Sequence, residues 1–288
     1  MHKIGIIGGG NMGEAIISSV RRKFFVSVAE KDKTRSDYLR FKYKIKIFDL
    51  ENLISSSDII VLAVKPQDIE DVLRRIRDHL ENLSFPNASV GNLDKAISGP
   101  PTKTFGGDSS KLIISIAAGI TTSYIEKILG KKIKVIRTMP NMPAMIGEGI
   151  TAVCAGKYAI APDINVACKI FDHLGKTVVV KEEFMDTITA VSGSGPAYVF
   201  FFMECLVKAS EALGLKSDLS KELVMATFLG SIHLLEKQKI EPGTLRAKVT
   251  SKGGTTAAAL EVFLKGKFDH LVQQALLAAK KRAKELAK

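Results

Sequence analysis

Lys3 to Ile17 reads Lys-Ile-Gly-Ile-Ile-Gly-Gly-Gly-Asn-Met-Gly-Glu-Ala-Ile-Ile, and this stretch decides the fold. Its order is an apolar strand pattern, a glycine-rich turn and the start of a helix. Gly8, Gly10 and Gly13 match the G-x-G-x-x-G spacing, whose glycines permit a tight turn, close approach to a pyrophosphate, and packing of helix on strand. The hexapeptide alone could be a turn that binds nothing. The strand before it and the helix after it favour a dinucleotide site.

Strand and helix patterns alternate from this turn to about residue 180. Apolar runs predict strands at residues 26–30, 45–48, 59–64, 112–116, 134–137, 149–154 and 177–180. Helical spacing covers residues 32–43, 67–80, 121–129 and 162–173. The alternation is typical of an α/β protein with a Rossmann-like doubly wound parallel sheet, whose ligands lie beyond the carboxyl ends of the strands. One crevice should then be lined by residues 8–13, 63–66, 117–119 and 138–141.

The rest of the chain is predicted to be helical. Helical patterns cover residues 196–213, 217–238, 242–249 and 255–287. Pro196 and Pro242 suit first helical positions. We therefore predict a dinucleotide-binding domain over residues 1–181 and an all-α domain over residues 182–288.

Residues 82–110 interrupt the alternation with a polar stretch that is rich in proline and glycine and shows no periodicity. Loops of this length are lids, binding segments or disordered insertions. Since no catalytic constellation lies within the stretch, we favour a disordered or passive insertion in the first domain.

Composition and charge exclude several classes of protein. The chain has an ordinary globular composition, with neither a run of about 18 apolar residues nor a signal-peptide pattern, so we expect a cytoplasmic protein without a membrane span. Three widely spaced cysteines and five scattered histidines offer no disulfide framework and no ligand spacing, and we predict no metal. The formal charge of +12 is spread along the chain, which argues against a nucleic-acid partner.

Several motifs occur in the order found in pyrroline-5-carboxylate reductases, and the chain resembles that family over nearly its whole length. The motifs are Gly8-Gly9-Gly10-Asn11-Met12-Gly13, Ala63-Val64-Lys65-Pro66, Arg137 to Ala144, Ser192 to Tyr198, and Val249 to Thr256. Residues 82–110 lie outside the resemblance, and Lys252 stands where members usually have proline. The resemblance implies reduction of 1-pyrroline-5-carboxylate to L-proline by NADPH or NADH, the last step of proline biosynthesis.

The motifs and the resemblance together imply which residues form the site. The cofactor would contact Gly8, Gly10, Asn11, Met12, Gly13, Ala63, Val64, Lys65, Pro66, Ala117, Ala118, Met139 and Asn141. The substrate would contact Ser194, Ser251, Gly253, Gly254, Thr255 and Thr256. By resemblance, the backbone at Gly254 and Thr255 would hold the carboxylate, and the hydroxyl of Thr256, the catalytic residue, would hydrogen-bond the ring nitrogen. The alternative role for Thr256 is that of a helix cap.

The chemistry of an imine agrees with this set of residues. A ketone needs a residue, usually His or Lys, that supplies a proton to oxygen, whereas a cyclic imine can already carry its proton near neutral pH. A hydride site for an imine therefore depends on positioning more than on acid catalysis. No histidine lies in the motif loops. The segment from Gly253 to Thr256 opens a helix whose N–H groups and dipole suit a carboxylate.

Two other classes of function compete with the reductase. A β-hydroxyacid dehydrogenase shares a glycine turn and a helical second domain, but it should carry a catalytic lysine after the inter-domain glycine motif. Lys208 is the candidate, and its neighbours do not match that family's pattern. A basic module that binds nucleic acid without catalysis would instead show binding that falls steeply with salt.

Three charged positions near the glycine turn in sequence bear on the choice of nucleotide. Glu30 ends a predicted strand about twenty residues after the glycine turn begins, where an acid accepts ribose hydroxyls and repels a 2′-phosphate. Lys31 and Lys33 have the opposite effect. We therefore expect both NADH and NADPH to serve.

The helix predicted from Pro196 bears on assembly, because Glu204 is its only charge as far as Val207. A helix that is apolar on nearly every face must be covered all round, and the remaining helices are too few to enclose it. We expect a homodimer closed by two-fold symmetry; the alternative is a monomer whose α/β domain covers the helix. The resemblance implies interlocked dimers, often in larger rings, with residues 253–256 meeting the cofactor crevice across the subunit contact.

Overall fold

The computed structural model describes residues 2–84, 111–130 and 132–286. Most of the insertion predicted at residues 82–110 lies outside the described residues, and its nature stays a prediction. Its start was placed too early, because a helix continues through Ser84. Two compact units make up the chain, Met1–Gly193 with Arg282–Lys288, and Ser194–Lys281. Residues 182–193, predicted to lie in the helical domain, belong to the first unit in this division.

The described part of the first unit contains one eight-stranded sheet. Its strands are β1 Lys3–Ile7, β2 Phe25–Ala29, β3 Lys46–Ile47, β4 Ile59–Leu62, β5 Leu112–Ser115, β6 Lys134–Met139, β7 Gly149–Ala155 and β8 Gly175–Val179. They are ordered β3-β2-β1-β4-β5-β6-β7-β8, and all neighbours are parallel except β6 and β7. The predicted parallel sheet is confirmed apart from that pair. Only a 3₁₀ segment, Met142–Ile146, joins β6 to β7, and without a crossover helix the chain reverses direction.

Helices alternate with these strands. They are α1 Asn11–Val20, α2 Lys33–Tyr43, α3 Leu50–Ser56, α4 Ile69–Ser84, α5 Thr122–Leu129, α6 Ala161–Phe171 and α7 Met185–Ile188. Our sequence analysis missed α3, because a helix of 7 residues is too short to show a clear period. Asp49 caps it by accepting a hydrogen bond from the Asn52 N–H at 2.7 Å.

The central strand β4 shows that the sheet is covered on both faces. Ile59 and Val61 belong to one hydrophobic cluster with residues of α1, whereas Ile60 and Leu62 belong to another with residues of α4. Successive side chains of a strand point to opposite faces. The continuous apolar run of β4 therefore fits a strand with helices on both sides, as its sequence predicted.

The second unit is helical, as predicted. Its helices are α8 Gly195–Ala212, α9 Ser217–Gln238, α10 Pro242–Lys248, α11 Thr255–Lys265 and α12 Phe268–Leu286, the last of which extends past the end of the unit. The single helix predicted over residues 255–287 is wrong, because the chain breaks at Gly266 and at Lys267, whose φ of 52° is left-handed. By length and composition alone, the described stretch Glu182–Ala212 is apolar enough to cross a membrane. Core helices of globular proteins pass the same test.

Candidate active site

The glycine turn between β1 and α1 has the shape of a phosphate-binding loop. Gly8 has a φ of +100°, and a Cβ there would lie 2.5 Å from the Ala63 carbonyl oxygen. A Cβ at Gly13 would collide with the Gly8 carbonyl, so neither position admits a side chain. By contrast, no described atom lies within 4 Å of where a Gly10 Cβ would be. The turn is therefore packed on its protein side and open in front of the α1 amino terminus, where backbone N–H groups suit a pyrophosphate.

Glu30 follows the carboxyl end of β2 and is bonded to this turn. Its carboxylate accepts hydrogen bonds from the Gly9 N–H at 2.6 Å and from the Asp32 N–H at 2.9 Å. A carboxylate has about four lone-pair sites, so these bonds leave it able to accept more. The next residue, Lys31, has a side chain that is 84% exposed, with its Nζ 3.4 Å from a carboxylate oxygen of Asp68. Both residues therefore lie beside the turn, where a ribose and its substituents would bind.

Glu14, in the first turn of α1, joins α1 to α2. Its carboxylate accepts hydrogen bonds from Arg35, Tyr38, Lys42 and Tyr43. Burial alone would raise the pKa of Glu14, but these hydrogen bonds, led by that from Tyr43, lower it from 4.5 to about 2. Arg35 also donates from Nε to the Gly9 carbonyl at 2.6 Å. The cluster thus supports the glycine turn, and sequence spacing could not reveal it because its members lie on separate elements.

The other predicted cofactor residues of the first unit follow neighbouring strands. Ala63 to Pro66 follow β4, and Ala117 and Ala118 follow β5. Met139 is the last residue of β6, and Asn141 lies just after it. The Ala63 N–H donates to the Ile7 carbonyl at 2.8 Å, and the Ala117 N–H donates to the Ser115 hydroxyl at 3.2 Å. Because β1, β4, β5 and β6 are adjacent in the sheet, all these segments lie along the same edge as the glycine turn.

Asn141 joins the end of β6 to two other segments. Its side-chain oxygen accepts a hydrogen bond from the Ile150 N–H at 2.9 Å, and its amide nitrogen donates to the Ser192 hydroxyl at 3.3 Å. A Cβ at Gly193 would lie 2.5 Å from Cε of Met139, so the glycine permits close packing there. These contacts fix the turn after β6, whether or not it also touches a nicotinamide.

A buried ionic cluster lies next to this edge, and sequence reasoning missed it. Arg137 on β6 is 3% exposed and donates to Asp186 at 3.2 Å and to Glu182 at 3.4 Å. Glu182 also accepts hydrogen bonds from the Thr122 N–H at 2.8 Å and from its hydroxyl at 2.7 Å, which anchors the start of α5. Burial, reinforced by Glu182, raises the pKa of the Cys154 thiol to about 12, so the thiol stays protonated. The sequence could have revealed this cluster through Arg137, because an arginine within an apolar strand needs acidic partners.

The predicted substrate residues belong to the second unit. Gly254 is the N-cap of α11 and makes no side-chain cap bond, and Gly253 before it has a φ of +72°. Thr255 and Thr256 are the first two residues of the helix, and the Gly254 N–H donates to the Ser251 carbonyl at 3.1 Å. The N–H groups of a first helical turn lack acceptors within the helix. The start of α11 is therefore an uncapped, electropositive helix end.

Ser194 lies at the start of the same unit. It is the N-cap of α8 and makes no side-chain cap bond, although its carbonyl accepts a hydrogen bond from the Ala197 N–H at 3.0 Å. Within the described residues, no group of three or more His, Cys, Asp or Glu could hold a metal ion.

Comparisons with known proteins cover both units. A family model described as pyrroline-5-carboxylate reductase dimerisation matches residues 182–286, and one described as NADP oxidoreductase, coenzyme F420-dependent, matches residues 3–84. The pyrroline-5-carboxylate reductase of Synechocystis is 35% identical over 292 residues, which cover 99% of this chain and 98% of that protein.

Solved structures extend the similarity to the fold. The pyrroline-5-carboxylate reductase of Coxiella burnetii has a TM-score of 0.82 at 33% identity, covering 100% of this chain and 99% of that one. The pyrroline carboxylate reductase of Plasmodium falciparum, solved with NADP bound, has a TM-score of 0.81 at 30% identity, covering 100% and 98%. The similarity therefore runs from end to end of the chain.

Proposed function

The chain belongs to the pyrroline-5-carboxylate reductase family, and from this premise we propose that it reduces 1-pyrroline-5-carboxylate to L-proline with NADPH or NADH. It is an oxidoreductase that acts on a cyclic C=N bond, and its reaction is the last step of proline biosynthesis. Membership of the family does not by itself say which residues of this chain bind the nucleotide and the substrate.

The glycine turn is proposed to hold the nucleotide. Its packing fits that group, because Gly8 and Gly13 close the turn against the protein and Gly10 leaves space for a pyrophosphate. The N–H groups of Asn11 and Met12, at the start of α1, would bind the phosphate oxygens. Further contacts would come from Glu30, Lys31, Ala63, Val64, Lys65, Pro66, Ala117, Ala118, Met139 and Asn141. When bound, the nicotinamide nucleotide supplies a hydride.

The uncapped amino terminus of α11 is the observation that carries the substrate assignment. Backbone N–H groups at Gly254 and Thr255, with the helix dipole, would hold the carboxylate. The Thr256 hydroxyl would hydrogen-bond the ring nitrogen. Because Gly254 occupies the N-cap position, capping does not account for that hydroxyl, and this supports the catalytic role. The proposed substrate set is completed by Ser194, Ser251 and Gly253.

No acid catalyst is required by this chemistry. In the protonated imine the nitrogen already carries its proton, and its N–H can donate to the Thr256 oxygen. When the hydride adds to the ring carbon, the electron pair of the C=N π bond moves onto nitrogen and the proton stays there. The role of Thr256 is therefore to hold the C=N bond in position, which is the kind of contribution that an imine reduction needs.

The environment of Lys208 argues against the competing hypothesis of a β-hydroxyacid dehydrogenase, for which it was the candidate catalytic lysine. The side chain of Lys208 is 71% exposed, and its Nζ lies 2.5 Å from Glu204 on the same helix. That hydrogen bond raises the pKa of Lys208, so the amine stays protonated and paired. An exposed, paired lysine of this kind is typical of a helix surface.

Association through the helical unit is part of the proposal, as a homodimer or a larger ring. Its support is the exposure of large apolar side chains in that unit and the match to a dimerisation family model. A cytoplasmic location, and the absence of membrane and nucleic-acid partners, stay proposals that rest on composition and charge distribution.

The test follows NADPH or NADH absorbance after 1-pyrroline-5-carboxylate is added to the purified full-length chain, with L-proline identified as product. A parallel assay offers a 3-hydroxyacid with the oxidised nucleotides. We expect NADPH or NADH to be oxidised in the first assay. In the second assay we expect the oxidised nucleotides to stay unreduced. Failure of the imine to oxidise either nucleotide would sink the proposal.

A further inference from the structure

A second concave site lies in the first unit, at the end of the sheet opposite the glycine turn. Its volume is about 500 Å³. The amino ends of β1, β2 and β3 line it, together with the connections that lead from α1 into β2 and from α2 into β3. None of the residues assigned above to the cofactor or the substrate lies in this cavity. We call it the amino-end cavity.

The amino-end cavity is strongly basic. Its described lining contains no Asp or Glu, and its cations are Lys3, Arg21, Lys44 and Lys46. Nε of Arg21 is buried without a hydrogen-bond partner among the described residues, while its Nη1 reaches the Tyr43 carbonyl at the long distance of 3.4 Å. This Nε has no surface open to the cavity, so a ligand there would meet the guanidinium through its outer N–H groups. Arginine among lysines is the arrangement that binds phosphate groups.

The same cavity is rich in aromatic side chains. They are Phe24, Phe25, Tyr43 and Phe48. Phe25 is 64% exposed, which is unusual for a phenylalanine at the start of an interior strand. Nucleic-acid bases stack on exposed aromatic rings, and an arginine beside them adds a cation–π contribution. The guanidinium carbon of Arg21 lies 5.6 Å from the centroid of the Tyr43 ring. Phosphate-binding and ring-binding groups therefore occur side by side.

We propose that the amino-end cavity binds a small phosphorylated molecule that carries an aromatic heterocycle, of which a nucleoside monophosphate is the simplest example. Arg21 and Lys46 bind the phosphate, and Phe25 and Phe48 contact the ring. A single concavity of about 500 Å³ suits one such molecule, since small-molecule sites span roughly 300–1,000 Å³. The ligand is either a free nucleotide or the nucleotide end of a larger molecule, because both carry the same chemistry.

The test is calorimetric titration of the full chain with AMP while NADP⁺ saturates the glycine turn. We expect one AMP per chain. Arg21→Gln and Lys46→Gln should each weaken binding by about tenfold or more, because each removes a charge-assisted hydrogen bond. Phe25→Ala should also weaken it. Lys169→Gln, which removes an exposed charge from α6, is the matched control and should bind AMP like the unaltered chain.

Two results would overturn the proposal. One is no AMP binding while NADP⁺ saturates the glycine turn, whether or not AMP binds without NADP⁺, and the other is equal affinity of Lys46→Gln and Lys169→Gln for AMP. Lys46 is exposed, so its variant keeps the test decisive even if Arg21→Gln folds poorly. Inorganic phosphate and adenosine should each bind at least about tenfold more weakly than AMP. A separate titration with ADP-ribose then distinguishes a free nucleotide from the nucleotide end of a larger molecule by which of the two binds more tightly.

Discussion

The two units of this chain bury their apolar side chains to very different extents. In the α/β unit, Ile4, Ile6 and Ile60 are fully buried, as are most apolar residues of the central strands. In the helical unit, Phe200 is 56% exposed and Phe201 is 67% exposed, and no residue of α8, α10 or α11 is buried. The α/β unit therefore completes its own core, whereas the helical unit needs another surface to complete one.

The aromatic rings that pack together within the helical unit are centred on Phe202, which is half-buried. Its ring centroid lies 6.0 Å from those of Phe228 and Phe268, and 6.4 Å from that of Phe263. Burying a phenylalanine side chain completely is worth roughly 1.5–3 kcal/mol. Leaving several such residues exposed forgoes much of that stabilisation. A second copy of the chain, presenting the same surface, is the simplest cover.

The largest expected effect comes from Phe201→Glu on α8. A carboxylate placed in the proposed apolar contact must be desolvated without a partner. We expect the assembly to dissociate to the chain mass of 31.2 kDa, and kcat/KM for imine reduction to fall at least about a thousandfold, ~4 kcal/mol. Light scattering coupled to gel filtration, with activity measured on each fraction, checks both.

The matched control is Phe41→Glu, because Phe41 on α2 is 73% exposed in the unit that completes its own core. It should keep the mass and activity of the unaltered chain. A stable, fully active 31.2 kDa species of the unaltered chain would show that the helical unit needs no second copy.

The same contrast explains how much of the fold could be predicted. Strands such as β4 were predictable because a continuous apolar run has few other uses in a globular protein. The antiparallel pair of β6 and β7 was not, because direction depends on the connecting segment, and the 3₁₀ segment Met142–Ile146 has no periodicity. The break between α11 and α12 escaped detection because the apolar pattern continues across Gly266 and Lys267.

The site could be predicted to a similar degree. The glycine turn was predictable because local backbone geometry demands its glycines, and the structure shows the expected crowding at Gly8 and Gly13. The contacts of Glu14 and Arg137 were not, since their partners lie 21 to 49 residues away along the chain. Such pairs become neighbours only when the sheet forms, and no local period encodes them.

The second prediction concerns Thr256→Ala at the start of α11. Loss of a hydrogen bond that positions the imine should lower kcat/KM by about 10- to 1,000-fold, on the order of 1.4 to 4 kcal/mol. The melting temperature should stay within about 2 °C, because Gly254 and not Thr256 occupies the N-cap. Thr256→Ser keeps the hydroxyl and should recover most of the activity. A variant that loses stability and keeps its activity would assign Thr256 a structural role only.

The third prediction sharpens the contrast in polar contacts. Glu14 is 17% exposed and its pKa falls from 4.5 to about 2 on folding, so its contribution is present above pH 4.5 and is lost as the pH falls towards 2. Glu14→Gln should cost on the order of 3 kcal/mol at pH 7 and flatten the pH dependence of stability between pH 4.5 and 2.

Urea unfolding at several pH values measures this effect. The control is Glu261→Gln in the helical unit, where the side chain is 63% exposed and pairs with Lys265 one helical turn away. An exposed pair of this kind is worth about 0.3–0.5 kcal/mol. Equal losses of stability in the two variants would contradict the special role of the Glu14 cluster.

The smallest expected effect is on the choice of nucleotide. We propose that Glu30 accepts the ribose hydroxyls of NADH and that the neighbouring Lys31 favours the 2′-phosphate of NADPH, so both nucleotides should serve. Lys31 is 84% exposed, and a screened surface charge contributes at most about 1 kcal/mol, or about fivefold. Lys31→Gln should therefore lower kcat/KM for NADPH by about two- to fivefold and leave that for NADH unchanged, with Lys169→Gln as the charge-matched control.

An advantage of NADPH over NADH above about a thousandfold in the unaltered enzyme, ~4 kcal/mol, would contradict a ribose contact of Glu30. The carboxylate would then serve only to hold the Gly9 and Asp32 N–H groups.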